Sequence, residues 1–290
     1  MTDSTFNPAA FGSGKVAVPP TVAPPPDTTV FNPGALRAQL QAKQQAILDL
    51  RTAPLGTVPT WSMSRLFDFE DCPHKVYLSV VAKMPSPSGP AAERGTQIHN
   101  HIEGYIQAEH SDVIKEMQGF LPLINLLREE YAEARVEVEG DWGFTRTWGV
   151  TGWTGKDVWA RMKLDAIHFE SPTSAKVIDW KTGKKWGNEI KHGQQGMGYA
   201  IGAFARYPEL ELISVQFAYL DKGEELRAAY TRRQADLMRP MLERRADVMT
   251  TSVTFDPKPS FHACRFCPHA KVQEGRSEPA CPWADEHVTH

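Results

Sequence analysis

The sequence has no run of 18 apolar residues, so it offers no membrane-spanning helix. It has no basic-then-apolar stretch near Met1, so a secretory leader is not expected and a cytoplasmic location is, or the host-cell cytoplasm for a viral protein. Cysteine is scarce: Cys72, Cys264, Cys267 and Cys281 are all there is. Without a leader, a disulfide framework is not expected, and a Cys-x-x-Cys pair with two further thiols points to a metal site instead. Net charge is scarce too, at −3 over 290 residues. That excludes a globally basic coat for nucleic acid but leaves room for a locally basic groove. There is no G-x-x-x-x-G-K-[ST] loop, so the chain carries no ATPase motor of this type, and there is no internal repeat. What remains, 41% hydrophobic and 23% charged residues, is the composition of an ordinary globular protein with a sizeable core.

Residues 1–34 are rich in Pro, Thr, Ala and Gly and poor in large apolar residues, which predicts a disordered or extended arm. Residues 35–60 read as an amphipathic helix and a linker, with Leu36, Leu40, Ile47, Leu48 and Leu50 set among Gln, Lys and Arg. The globular body is expected over 61–290. Ser62 and Ser64 are good caps for a first helix, and Cys72-Pro73 interrupts it. Ile98, Ile102 and Ile106 repeat every four residues and give a core-facing stripe to a helix over 91–107, with His99 and Glu103 on an adjacent stripe. A second helical stretch over 112–134 is expected to be broken or bent near Pro122. Strand character follows at 135–139 and again over 158–169, where Met162, Leu164 and Ala166 share one face. Three glycines, Gly193, Gly196 and Gly198, weaken the start of a helix over 189–207 and suit close approach of another backbone. A strand over 212–220 turns out through Asp221-Lys222-Gly223 and leads to an arginine-rich helix over 231–250. Helices, consecutive strands, then helix, strand and helix describe an α/β domain with a central mixed sheet flanked by helices.

The stretch Lys176-Val-Ile-Asp-Trp-Lys-Thr-Gly183 carries the densest chemistry. Val177, Ile178 and Trp180 mark a short buried strand, and Asp179 and Lys181 must share one face because side chains alternate. Charges inside a core cost several kcal/mol unless paired or solvated. An ion pair at a strand end would suffice for these two alone. His99, Asp165 and Asp179 together make a donor set suited to a hard divalent cation, Mg²⁺ or Mn²⁺. Beside it, Lys181 suits orienting or deprotonating a water, or stabilising developing negative charge. Glu103, one turn from His99, is a candidate to hold the histidine in place.

These pieces resemble, in order, the PD-(D/E)XK nuclease superfamily, and within it the RecB-type exonuclease domain with an iron–sulfur staple. Ser62-x-Ser64 through Cys72-Pro73 is similar to that domain's opening helix and first cysteine. Gly95-Thr-Gln-Ile-His99 is similar to its G-T-x-x-H motif, and Lys163-Leu-Asp165 to the strand bearing its first carboxylate. Asp179-Trp-Lys-Thr-Gly183 is similar to D-x-K-T-G, and Gln195-x-x-x-Tyr199 to Q-x-x-x-Y. The resemblance implies a restriction-endonuclease-like core, with metal on His99, Asp165 and Asp179 and catalysis by Asp165, Asp179 and Lys181. Gln195 and Tyr199 would position the DNA strand. Cys72, Cys264, Cys267 and Cys281 would hold a [4Fe–4S] cluster clamping the N- and C-terminal parts. The thirteen residues between Cys267 and Cys281 leave His269 as an alternative ligand, and structural Zn²⁺ as an alternative metal. Phosphate contacts are expected from Lys184, Lys185, Lys191, Arg232 and Arg233. The implied activity is a DNA exonuclease of recombination, repair or replication, in a phage or mobile-element setting, acting on free ends with a separate helicase or annealing protein. The alternative is a catalytically silent DNA-end or partner-binding subunit of a recombination or spacer-adaptation complex.

Overall fold

The computed structural model describes residues 56–273 and 276–285, with Gly34, Arg37, Ala38, Leu40, Gln41, Ala42, Gln44 and Gln45 before them. Apart from Gly34, the Pro-rich arm lies outside the described residues. Two compact units are distinguished, residues 1–42 and 43–290. In the first, the described residues are helical and exposed. Leu36, Ile47, Leu48 and Leu50 lie outside the described residues.

In the second unit, Ser62 caps helix α1 (Met63–Asp71) by accepting a hydrogen bond from the Arg65 N–H. Cys72 is extended, and Pro73 restarts the chain as α2 (Pro73–Val76), which runs into a π turn at Tyr77–Val81. Pro90 opens α3 (Pro90–Ile106). The helical stretch expected over 112–134 is broken next to Pro122. A 3₁₀ segment, Lys115–Phe120, comes first, and Pro122 sits in the opening turn of α4 (Leu121–Ala132), where its missing N–H costs nothing. The remaining elements are β1 (Val136–Phe144), β2 (Val150–Thr151), β3 (Ala160–Ser171), β4 (Ser174–Lys181), α5 (Glu189–Arg206), β5 (Leu212–Tyr219), β6 (Glu224–Thr231), α6 (Arg232–Thr250) and the single turn α7 (Phe261–Cys264). Strand β6 is absent from the pattern of the sequence. It is a charged, half-exposed edge strand, and its apolar residues are only Leu226, Ala228, Ala229 and Tyr230.

The sheet order is β2-β1-β3-β4-β5-β6. All neighbours are antiparallel except β4 and β5, which run parallel and are joined through α5. One face packs against α1, α5 and α6 around Leu66, Phe204, Leu242, Val177 and Val215. The other packs against α3 and α4 around Ile98, Ile102, Ile124, Ile178 and Trp180. Helices on both faces of a mixed sheet make this an α/β core, as the order of elements predicts.

Strands β1 and β3 each change face midway. Met162 and Leu164 join the first cluster with Trp142 and Phe144, but Ala166 joins the second with Val136, so the expected common face of 162, 164 and 166 does not hold. The pairing stays in register across the change, from Val138↔Ala166 to Gly140↔Leu164. The turnover is made by Glu139, whose φ is +49°, a left-handed conformation that non-glycine residues seldom adopt. It falls beside Asp165.

Helix α5 lies close on the sheet because small residues face it. Gly193 is open to space, whereas a Cβ on Gly196 would sit 3.2 Å from the Phe217 ring. At Gly202 it would overlap Met162 Sδ and lie 3.3 Å from the Phe144 ring. Gly202→Val is therefore expected to lower stability by about 1–3 kcal/mol through overpacking. Urea unfolding checks this, and an unchanged midpoint would contradict the close helix–sheet contact.

Candidate active site

The site opens where β3 and β4 part. Their ladder runs from the Ser171 end to Ala166↔Ile178 and stops there, leaving the Trp180 N–H without a strand partner on that side. The Asp165 carboxylate takes the partner's place: its Oδ2 accepts from Trp180 N at 2.6 Å. Its Oδ1 lies 3.0 Å from His99 Nδ1, which α3 presents from the opposite side. Helix α3 is held over this opening by Arg94, which forks onto Asp221 just after β5 and also reaches Glu116. Burial pushes the Asp165 carboxyl above the usual carboxylate range, against the lowering influence of His99. The Asp165 carboxylate, through its hydrogen bond and charge, holds the His99 imidazole above its ordinary value despite burial.

Asp179 is 4% exposed and is gripped from the other side. Its Oδ2 accepts from Tyr199 OH at 2.7 Å and from Gln195 Nε2 at 3.3 Å. Gln195 also donates to the Tyr199 oxygen at 2.6 Å, and the two lie one turn apart on α5. Tyr199 OH is 3.1 Å from the Lys163 carbonyl, but its single proton goes to the nearer carboxylate. Lys181 Nζ lies 2.5 Å from Asp179 Oδ1, an ion pair without regular hydrogen-bond geometry, so this buried oxygen has no directed donor. Lys181 also reaches Gln195 Oε1 at 3.4 Å and stands 5.4 Å over the Phe217 ring. Behind it, His192 stacks on Phe217 and its Nδ1 pairs with Tyr219 OH at 2.6 Å.

A cleft of about 470 Å³ brings His99, Asp165, Asp179 and Lys181 together. Gln195 and Tyr199 stand behind Asp179 rather than in this cleft. Glu103 does not reach His99; it accepts from Gln107 Nε2 at 3.1 Å. Glu139 and Lys163, neither of them among the residues expected at the site, also line the cleft and form an ion pair with each other. The only signal for Lys163 was its place two residues before Asp165. Glu139 had none, since its direction depends on the left-handed turn.

Of the residues expected to meet phosphate, Lys184 and Arg233 are exposed. Lys185 donates to the Glu225 carbonyl and Lys191 pairs with Asp71. Arg232 is turned inward: its guanidinium donates to the carbonyls of Phe204, Tyr207, Pro208 and Leu210, tying α6 to the end of α5. It closes a helix junction rather than facing a ligand.

Cys72, Cys264, Cys267 and Cys281 all line one small cavity, of about 20 Å³, with Lys75 and Trp283. None is in a disulfide. Burial raises the Cys267 thiol and pushes Cys281 up to about 12. His269 does not line that cavity; its Nε2 meets Ser79 Oγ at 2.9 Å and Ser86 Oγ at 3.2 Å.

Among the described residues, no three His, Cys, Asp or Glu side chains are grouped as a ready-made metal cage. The carboxylates of the cleft instead pair with the site's own His99 and Lys181. The donor set nevertheless fits a hard divalent ion, with two buried carboxylates and an Asp179 oxygen lacking a directed donor. The four sulfurs fit a thiolate-bound metal or cluster by the same test of donor chemistry.

A mixed sheet with two carboxylates and a lysine where its central strands diverge defines the restriction-endonuclease-like class. A model of the PD-(D/E)XK nuclease superfamily matches residues 60–162 and 127–272. The chain belongs to that superfamily. Its sheet is also similar to two crystal structures. SSO0001 is 17% identical, with a TM-score of 0.42 over 81% of this chain and 94% of that one. A candidate exonuclease from Eubacterium rectale is 14% identical, with a TM-score of 0.44 over 75% of this chain and 90% of that one. No curated protein sequence matches the chain.

Burial, and after it the Lys181 charge, push the His192 imidazole down from 6.5 to about 4. An unfolded histidine takes its proton near pH 6.5, whereas this one takes it only near pH 4. The stability tied to the neutral ring is therefore complete above pH 6.5 and is lost as pH falls toward 4. His192→Gln is expected to flatten that decline by about 1 kcal/mol, because solvent screening of the half-exposed ring reduces the full effect of the shift. Urea unfolding from about pH 7 to about pH 4.5 measures it, and parallel curves for parent and variant would count against it.

Proposed function

We propose that this chain is a divalent-metal-dependent deoxyribonuclease of RecB type that hydrolyses phosphodiester bonds from DNA ends. The observation that carries the reading is the convergence of His99, Asp165, Asp179 and Lys181 on one cleft at the parting of β3 and β4. His99, Asp165 and Asp179 would hold Mg²⁺ or Mn²⁺. When bound, the ion supplies Lewis-acid polarisation of a phosphoryl oxygen and lowers the pKa of bound water. Lys181 stands beside the buried Asp179 carboxylate, placed to orient the attacking water or to balance charge developing on the phosphate. Gln195 and Tyr199 act through Asp179, fixing its carboxylate by two hydrogen bonds. Free Lys184 and Arg233 suit contacts to the DNA backbone.

The four cysteines would hold a [4Fe–4S] cluster, with Zn²⁺ as the alternative. The cluster supplies a crosslink between the end of α1 and the C-terminal segment, not a reacting group. The setting suggested by the resemblance is recombination, repair or replication in a phage or mobile element, alongside a helicase or annealing protein.

Asp179→Ala and Lys181→Ala are each expected to lower cleavage of end-labelled linear DNA by about a hundred-fold or more while leaving the fold intact. A covalently closed circle should survive in every sample. Activity equal to the parent in either variant would overturn the site. Cys264→Ala should lose visible absorbance and bound metal and melt several degrees lower, read by anaerobic spectroscopy, metal analysis and calorimetry. An unchanged melting temperature with full metal content would remove the clamp.

A further inference from the structure

A second cleft, of about 360 Å³, lies next to the first. Lys163 lines both, and Gln195 and Tyr199, which hold Asp179 from behind, form part of the second wall. The two clefts differ in charge. Glu139, Asp165 and Asp179 line the first, whereas no carboxylate lines the second. The second is built from the hydroxyls of Ser62 and Ser64, the Arg161 side chain, Lys163 and the Trp153 ring. Arg161 is fixed by a 2.8 Å hydrogen bond from its Nε to the Trp153 carbonyl, and its guanidinium lies 5.3 Å from the Trp153 ring.

Arg65 stands behind this cleft. It donates to the Thr60 carbonyl at 2.6 Å and the Thr60 hydroxyl at 2.8 Å. Burial, and next the charge of Arg161, lower its pKa. Among the described residues, neither Arg65 nor Arg161 pairs with a carboxylate. Two neighbouring guanidinium groups without a counter-charge destabilise a fold unless an anion joins them. The Ser62 and Ser64 oxygens, 3.2 Å apart at the start of α1, add short hydroxyl donors at the end of a helix whose dipole also favours an anion. An indole beside the arginine adds a face on which a base can stack.

We propose that this second cleft is a nucleotide subsite, holding a DNA phosphate on Arg161, Ser62 and Ser64 and the adjoining base on Trp153, next along the strand from the bond being cut. The inference rests on the nuclease reading, and it adds to it the path of the strand: from the acidic cleft, past Lys163, into the basic one. The phosphate is either a terminal monophosphate or an internucleotide one, because the chemistry of the cleft recognises both.

The test is binding of dye-labelled single-stranded oligonucleotides of about 12 nucleotides to the full chain in EDTA, where no cutting occurs. The oligonucleotides carry a 5′-phosphate, a 3′-phosphate or neither. Arg161→Gln is expected to weaken binding about ten-fold or more and to reduce the salt slope by about one. Trp153→Ala is expected to weaken it about ten-fold with the slope unchanged. Arg227→Gln, on the exposed edge strand β6, is the control and should match the parent. Loss confined to one phosphorylated end identifies a terminal phosphate, and equal loss on all three identifies an internucleotide phosphate.

If Arg161→Gln and Trp153→Ala both bind like the control, the subsite is wrong, although a parent that still cuts DNA leaves the nuclease reading standing. If the parent binds through these residues but does not cut with Mg²⁺ or Mn²⁺, the subsite stands and the nuclease reading falls. A parent that binds no DNA overturns both. Should Arg161→Gln fail to fold by circular dichroism, Arg161→Lys and Trp153→Ala carry the same comparison.

Discussion

The arrangement depends on an interrupted ladder. β3 and β4 pair as far as Ala166↔Ile178 and then separate, which strands the backbone N–H of Trp180 in a buried setting. An unmet buried N–H costs a few kcal/mol. Asp165 meets it with a side-chain oxygen, so the carboxylate both lines the cleft and substitutes for the missing strand. Repairing the ladder would close the cleft, and removing the carboxylate would leave the backbone unsatisfied. Structure and site thus make the same demand on one residue.

The second demand is electrostatic. Asp165 and Asp179 lie close together, and the Asp179 charge adds to burial in raising the cost of ionising Asp165. Partners on three elements share that cost: His99 from α3, Lys181 from β4 itself, and Gln195 with Tyr199 from α5. The elements are fixed for reasons unrelated to charge. Small residues let α5 approach the sheet, and Arg94 pins α3 to the turn after β5. Ordinary packing therefore sets the tolerance within which the polar network is built, and displacing one helix would unbalance the carboxylates before it exposed the core.

Much of this was legible in the sequence, and the rest was not, for identifiable reasons. Strand alternation put Asp179 and Lys181 on one face, and the i, i+4 spacing put Gln195 and Tyr199 on one side of a helix. Both are local rules and need no knowledge of the partner. The sheet flanked by helices followed from the order of apolar periods. What escaped depended on tertiary context. Glu139 lines the cleft at a left-handed backbone turn, and beside it on β3 Ala166 joins the other core. Strand β6 is held by pairing with β5 rather than by its own apolar residues. The arginine count of α6 suggested a ligand surface, yet Arg232 serves four carbonyls, and nothing in a one-dimensional pattern distinguishes a cation that caps a neighbouring helix from one that faces solvent.

The two ends of the described body meet far from the cleft. Lys258 N–H reaches Cys72 Sγ at 3.4 Å, its ammonium lies at the same distance from the Glu70 carbonyl, Ser79 holds His269, and Gln273 reaches the Pro85 carbonyl. A tug applied at residue 285 would be carried first by this clasp. A tug at residue 56 would instead load Trp61, whose parallel bridge to Ala160 ties the incoming chain to β3. The two ends of the body are therefore not mechanically equivalent: one pulls on the clasp, the other on the strand that bears Asp165.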